Sequence, residues 1–106
     1  MSRAVVVGER SLILGFRGVG MEVVSAEDAE GLRRALGPLS RDADVALVLV
    51  TESLAAQAPG ALEDFRAVSQ AVITTIPTHQ GGTGFAFNEM RSVVERSIGV
   101  DMLGKD

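Results

Sequence analysis

The chain has 106 residues, a net charge of −4, a pI near 4.9 and 46% hydrophobic residues. That is one domain's length, apolar enough for a packed core rather than disorder. Cysteine is absent, which excludes disulfides, thiolate chemistry and Cys-ligated zinc and fits a cytosolic setting. No apolar run approaches the roughly 20 residues of a membrane span, so direct membrane insertion is not expected. The four apolar residues after Met1-Ser2-Arg3 are too few for a secretory leader. Nine of the ten basic residues are Arg, scattered along the chain, and Trp and Tyr are absent. A nucleic-acid binder usually combines a basic stripe with stacking aromatics, so nucleic acid is not an expected partner.

Ala4 to Val7, ending at Gly8, reads as a first strand. Glu9 suits the start of a helix, where the dipole favours an acid. Leu12, Phe16 and Val19 are spaced to share one face of that helix. Gly15, Gly18 and Gly20 weaken its end, so it is expected to stop near Phe16 or Arg17. Met21 to Ser25 is a second strand. Ser25-Ala26-Glu27-Asp28 resembles a capping box. The helix it would open carries Ala29, Leu32, Leu36 and Leu39 on one face, and Gly37-Pro38 is expected to break it.

The stretch Asp44 to Thr51 is the centre of the pattern. Val45 to Val50 is apolar without interruption, which reads as a strand buried on both faces. Burial on two sides needs helices above and below, hence a parallel sheet of strand–helix units. Thr51 can cap a helix from Glu52 that Pro59-Gly60 interrupts and that resumes with Leu62, Phe65 and Val68. Ala71 to Ile76 is a fourth strand, stopped by Pro77. Gly81 to Gly84 lies in a polar loop over 78–84. Asn88 can cap a C-terminal helix within 85–99, in which Met90, Val93, Val94 and Ile98 share a face. A tail over 100–106 follows. The expected architecture is one α/β domain over 1–106, with residues 1–77 forming the sheet core. Its four-stranded, doubly wound parallel sheet has order 2-1-3-4, with helices on both faces as in receiver domains.

A sheet of this kind works at the carboxyl ends of its strands. Those ends offer Gly8-Glu9, Ser25, Thr51-Glu52 and Pro77-Thr78. A phosphoacceptor receiver needs an acidic pair after the first strand, an Asp after the third and a Lys after a later one. This chain has one Glu, then Thr51-Glu52, and no Lys before Lys105. Glu9 and Glu52 could jointly hold a hard cation; helix-start acids are the plainer reading of both. Gly81-Gly82-Thr83-Gly84 could cradle phosphate but lacks the G-x-G-x-x-G spacing, and a surface loop is the plainer reading. Gly99 to Lys105 matches G-x-x-x-x-G-K, yet Asp106 stands at the Ser/Thr position and no strand precedes it. His79, the one histidine, has no acid beside it in sequence. No catalytic constellation and no cofactor or metal site emerges. The tail is the oddity: Val100, Met102 and Leu103 are apolar beyond a helix end, so they fold back on the sheet or dock on a partner.

Several elements together are similar to the F subunit of the archaeal and bacterial A-type/V-type rotary ATPases. They are Val7-Gly8 at the end of the first strand, Gly15-Phe16-Arg17 with Gly20, Val50-Thr51-Glu52, Ile76-Pro77, and the closing run Arg96-Ser97-Ile98-Gly99-Val100-Asp101-Met102-Leu103. The G-F-R element and the terminal I-G-V-D-x-L are the specific ones. Gly18 departs from the family pattern, which has a bulkier apolar residue there. The resemblance implies a non-catalytic central-stalk (rotor) component that binds the coiled-coil D subunit of the shaft. It also implies a reach toward the A and B subunits of the catalytic head through the C-terminal segment, and a cytoplasmic position peripheral to a membrane-bound complex. The partner-binding residues it implies are Phe16, Arg17, Val94, Ile98, Val100, Asp101, Met102 and Leu103. Should Phe16 instead be plain core, its truncation would cost about 3–5 kcal/mol. The competing expectation is a stand-alone receiver-like regulatory or nucleotide-binding module without an acceptor Asp.

Overall fold

The computed structural model of the chain describes residues 2–77. Four strands form one parallel sheet: β1 Arg3–Gly8, β2 Glu22–Ser25, β3 Val45–Thr51 and β4 Val72–Ile76, in the order β2-β1-β3-β4. This is the order and direction expected from the sequence. The helices are α1 Arg10–Ile13, α2 Ala29–Ser40, α3 Glu52–Ala56 and α4 Ala61–Val68, and a 3-10 helix over Leu14–Val19 follows α1 directly.

The two central strands are the most apolar, and both of their faces are covered. Val5, Val7, Val48 and Val50 pack under α2, α3 and α4 through Leu32, Leu36, Leu54 and Phe65. Ala4, Val6, Leu47 and Leu49 form the opposite face with Ile13, Phe16 and Met21. Strand β2 lies at an edge, and its four residues are at most half-buried. Its pairing runs from Val5↔Glu22 to Gly8↔Ser25. At the amino end of the sheet, Arg3 binds both carboxylate oxygens of Glu22 at 2.7 Å and also reaches Asp42. It thereby ties β1 to the neighbouring strand and to the loop before β3.

Four local expectations differ from what is observed. The first helix was expected to turn Leu12, Phe16 and Val19 inward. The α-helical part ends at Ile13, and the chain then tightens to three residues per turn. This moves the buried pair to Ile13 and Phe16, while Leu12 is 39% exposed. Gly20 closes the segment with φ 83°, a left-handed value open to glycine.

Ser25 does not cap α2. It stays in β2, and the Ala26 N–H is spent on the Gly8 carbonyl at 2.9 Å. Asp28 is the N-cap, its Oδ1 accepting from the Gly31 N–H at 2.8 Å. Pro38 does not break α2, which runs to Ser40. The proline removes one helical hydrogen bond, but the last turn carries Leu39 into the core and closes through Arg41 N–H to the Pro38 carbonyl. Finally, Val68 is 64% exposed, and α4 buries Ala61 and Phe65 instead.

Candidate functional site

The carboxyl ends of β1 and β3 are adjacent in this strand order, and Glu9 and Thr51 meet there. The Thr51 hydroxyl donates to Glu9 Oε1 at 2.7 Å, and the Ser53 hydroxyl donates to Oε2 at 2.7 Å. Thr51 is fully buried, and Ser53 sits in the first turn of α3. Thr51 occupies the N-cap position of α3 without a side-chain capping bond; its hydroxyl serves Glu9 instead. Glu9 in turn is the N-cap residue of α1 and also makes no side-chain capping bond. The first turn of α1 is served from across the edge by Glu27, whose Oε2 accepts from the Arg10 N–H at 3.0 Å.

Gly8 makes this convergence possible. A Cβ at that position would lie 2.3 Å from Thr51 Cγ2 and 2.8 Å from Ile13 Cγ2. Partial burial pushes the Glu9 carboxyl up, but the hydrogen bonds from Thr51, Ser53 and the Glu9 backbone outweigh it, and the pKa lies below the usual carboxylate range. The carboxylate is therefore charged, oriented and occupied on both oxygens.

Chemically this edge is a clasp. The position that follows the third strand in a receiver is Thr51, buried and hydrogen-bonded. Glu52 lies in the first turn of α3, as an acid favoured by the helix dipole. Among the described residues no three acids or histidines converge on a point that could hold a metal ion. A cleft of about 770 Å³ opens elsewhere, at the amino ends of β3 and β4, between Arg41, Ala46, Val68 and Val72. It lies at the end of the sheet opposite to where this architecture performs chemistry.

Of the partner-binding residues named from sequence, Phe16 is 4% exposed and packs among Ala4, Val6, Ile13 and Leu47. Its ring holds the 3-10 helix on the sheet and offers no surface to a partner. Arg17, the next residue, is exposed. Val94, Ile98, Val100, Asp101, Met102 and Leu103 lie outside the described residues, as do His79, the Gly81 to Gly84 loop and the C-terminal helix and tail. Sequence reasoning missed Ser53 and Glu27 as members of the edge. The meeting of Glu9 with Thr51 was implicit in the order 2-1-3-4, which sets the ends of the first and third strands side by side. Nothing in the sequence pattern signalled Ser53 or Glu27.

The architecture is that of a parallel, receiver-like α/β protein in which the acceptor position at the end of β3 is closed by a hydrogen-bonded threonine. The family model of the ATP synthase (F/14-kDa) subunit matches residues 4–94, and the chain belongs to that family. It is similar to the F subunit of the A-type ATP synthase of Pyrococcus furiosus, at 33% identity over 94% of this chain and 97% of the relative. The F subunit of the V-type ATP synthase of Clostridium perfringens is 30% identical over 92% of each chain. That of Clostridium botulinum (strain Eklund 17B / Type B) is 26% identical over 92% of this chain and 94% of the relative. The family is one of non-catalytic subunits of the rotary ATP synthases. No described helix is long and apolar enough to cross a membrane.

Proposed function

We propose that this chain is a central-stalk component of an A/V-type ATP synthase. It binds the coiled-coil D subunit of the shaft and turns with it, at the cytoplasmic side of the membrane-bound complex. The reading is carried by the family match over residues 4–94. The clasp at the carboxyl edge supports it: where a signalling relative would keep an open acidic site, Glu9, Thr51 and Ser53 satisfy one another. In this reading the chain is one domain whose C-terminal residues Val94, Ile98, Val100, Asp101, Met102 and Leu103 contact the shaft and reach toward the A and B subunits of the head. Arg17 contributes from the sheet domain, and Phe16 acts beneath it.

The test is co-expression with the shaft protein encoded in the same genome, followed by size-exclusion chromatography with light scattering. A stable one-to-one complex is expected. A free monomer beside a folded shaft would overturn the reading, and an ATP titration followed by NMR would then examine the nucleotide-binding alternative.

A further inference from the structure

Strand β4 is an edge of the sheet, and among the described residues it pairs with β3 alone. An edge strand turns the N–H and C=O groups of alternate residues away from the sheet, where another chain can bond to them. The sequence of β4, Val72-Ile73-Thr74-Thr75-Ile76, favours such pairing. Every residue is β-branched, and none is charged or proline. Val72 is 47% exposed. The opposite edge differs. Strand β2 is a residue shorter and carries Glu22, a charge of the kind that discourages strand addition.

A cationic side chain stands at the outer margin of β4. On α4, Asp64 and Val68 line the groove that faces α2, so Arg66 leaves the helix on the side away from α2. Its Nη2 donates to the Ile73 carbonyl at 3.1 Å. A group arriving from that side meets a carbonyl turned away from β3. Ile73 is therefore one of the outward-turned residues, and Thr75, two positions on, is the next. Two copies of this edge can pair antiparallel about a two-fold axis, with Thr74 opposite the second copy's Thr74 and Ile73 opposite its Thr75. In that register Ile73 and the second copy's Thr75 exchange N–H···O bonds. The Ile73 carbonyl that this exchange needs is the one Arg66 occupies, and the charged guanidinium lies in the path of the incoming strand.

We infer that Arg66 guards the β4 edge and keeps a second copy of the chain from adding its own β4 there. Arginine suits the task. Its guanidinium stays charged at any working pH, and a charge carried into a strand–strand contact loses its water without gaining an acid, since β4 has none to offer. The guard acts in the chain by itself, so neither it nor its test depends on the central-stalk reading.

The experiment is sedimentation velocity of the full chain over a wide range of concentration, comparing the wild type with Arg66→Ala and Arg66→Met. Circular dichroism reads whether each variant is folded. Both variants should dimerise where the wild type stays monomeric, with a dissociation constant lower by about tenfold or more, as the loss of a hydrogen bond from a charged group implies. Thr75→Pro added to either variant should restore the monomer. It removes the outward N–H that the pairing requires, at a position where an edge strand tolerates proline. Slowed hydrogen exchange of the Thr75 amide in the dimers locates the contact without the proline. If both variants remain folded monomers, or if the wild type associates as strongly as they do, Arg66 guards nothing and the inference is overturned. Dimers in which the Thr75 amide exchanges freely, or which persist with Thr75→Pro, would place the contact elsewhere and overturn it too. If both variants unfold, Arg66 is a tie that holds α4 on the sheet, and the guard is equally refuted.

Discussion

Gly8 ends β1 beside Thr51, the last residue of β3. An alanine methyl there would stand 2.3 Å from Thr51 Cγ2 and 2.8 Å from Ile13 Cγ2, and neither partner is a flexible chain end free to swing away. Gly8→Ala should therefore destabilise the protein by about 1–3 kcal/mol, the range for overpacking a filled interior. It should also disturb the Glu9–Thr51 bond. Urea denaturation of the two proteins measures the first effect, and a two-dimensional amide spectrum centred on Thr51 reads the second. Glu9 itself sets a pH dependence. Its carboxyl titrates below the ordinary glutamate value because the Thr51 and Ser53 hydroxyls hold the charged form. A depressed folded pKa gives stability that is fully present above the unfolded value of about 4.3 and is lost as pH falls through the folded one. Glu9→Gln should flatten that acid limb. Urea midpoints between about pH 6 and pH 3 will show it, with Glu22→Gln as comparison, since Arg3 depresses Glu22 as well. Identical curves for wild type and Glu9→Gln would mean that Glu9 binds protons equally in both states.

The elements follow from burial more than from local propensity. The segment after β1 carries Gly15, Gly18 and Gly20, and a regular helix through them would be weak. What holds it is Phe16, which reaches Ala4, Val6, Leu47 and Leu49 on the sheet and is 4% exposed. Three residues per turn is the pitch that brings Phe16 under Ile13, and Leu12 is turned outward as a consequence. Phe16→Ala should cost about 3–5 kcal/mol, which thermal unfolding followed by circular dichroism would register as a large fall in Tm. A small fall would place the ring's importance outside the core. Helix α2 shows the same priority. Pro38 and Gly37 argue for a stop, yet the helix continues to Ser40 because Leu39 completes the stripe begun by Leu32 and Leu36. Its start is set by Asp28, the residue whose carboxylate meets the Gly31 amide, rather than by Ser25, which β1 claims.

At the scale of the molecule, β1 and β3 form the centre, and the other described elements flank or cover them. If the sheet domain folds by burying these two strands, residues far down the chain are dispensable for folding and free to serve partners. On the central-stalk reading, in which residues 100–106 contact the shaft rather than the sheet, deleting them should leave Tm within a few degrees of wild type. It should weaken binding to the shaft in calorimetry. A truncated chain that binds normally would remove the tail from the proposed interface. A truncated chain that unfolds would show that the tail packs on the sheet instead.

The sequence by itself determined the class of fold and the strand order. The unbroken apolar run from Val45 to Val50 demanded cover on both faces, and four strand–helix units with short connections leave few ways to arrange a parallel sheet. It also carried the family, in Gly15-Phe16-Arg17 and the run ending in Leu103. It could not decide which side of the first helix faces inward, because the turn from α-helix to 3-10 helix is chosen by the fit of Phe16 against residues of β1 and β3. Nor could it decide which acids cap which helix. Asp28 caps α2 locally through the Gly31 amide, but only the approach of segments distant in the chain assigns Glu27 to the first turn of α1 and Glu9 to the hydroxyls of Thr51 and Ser53.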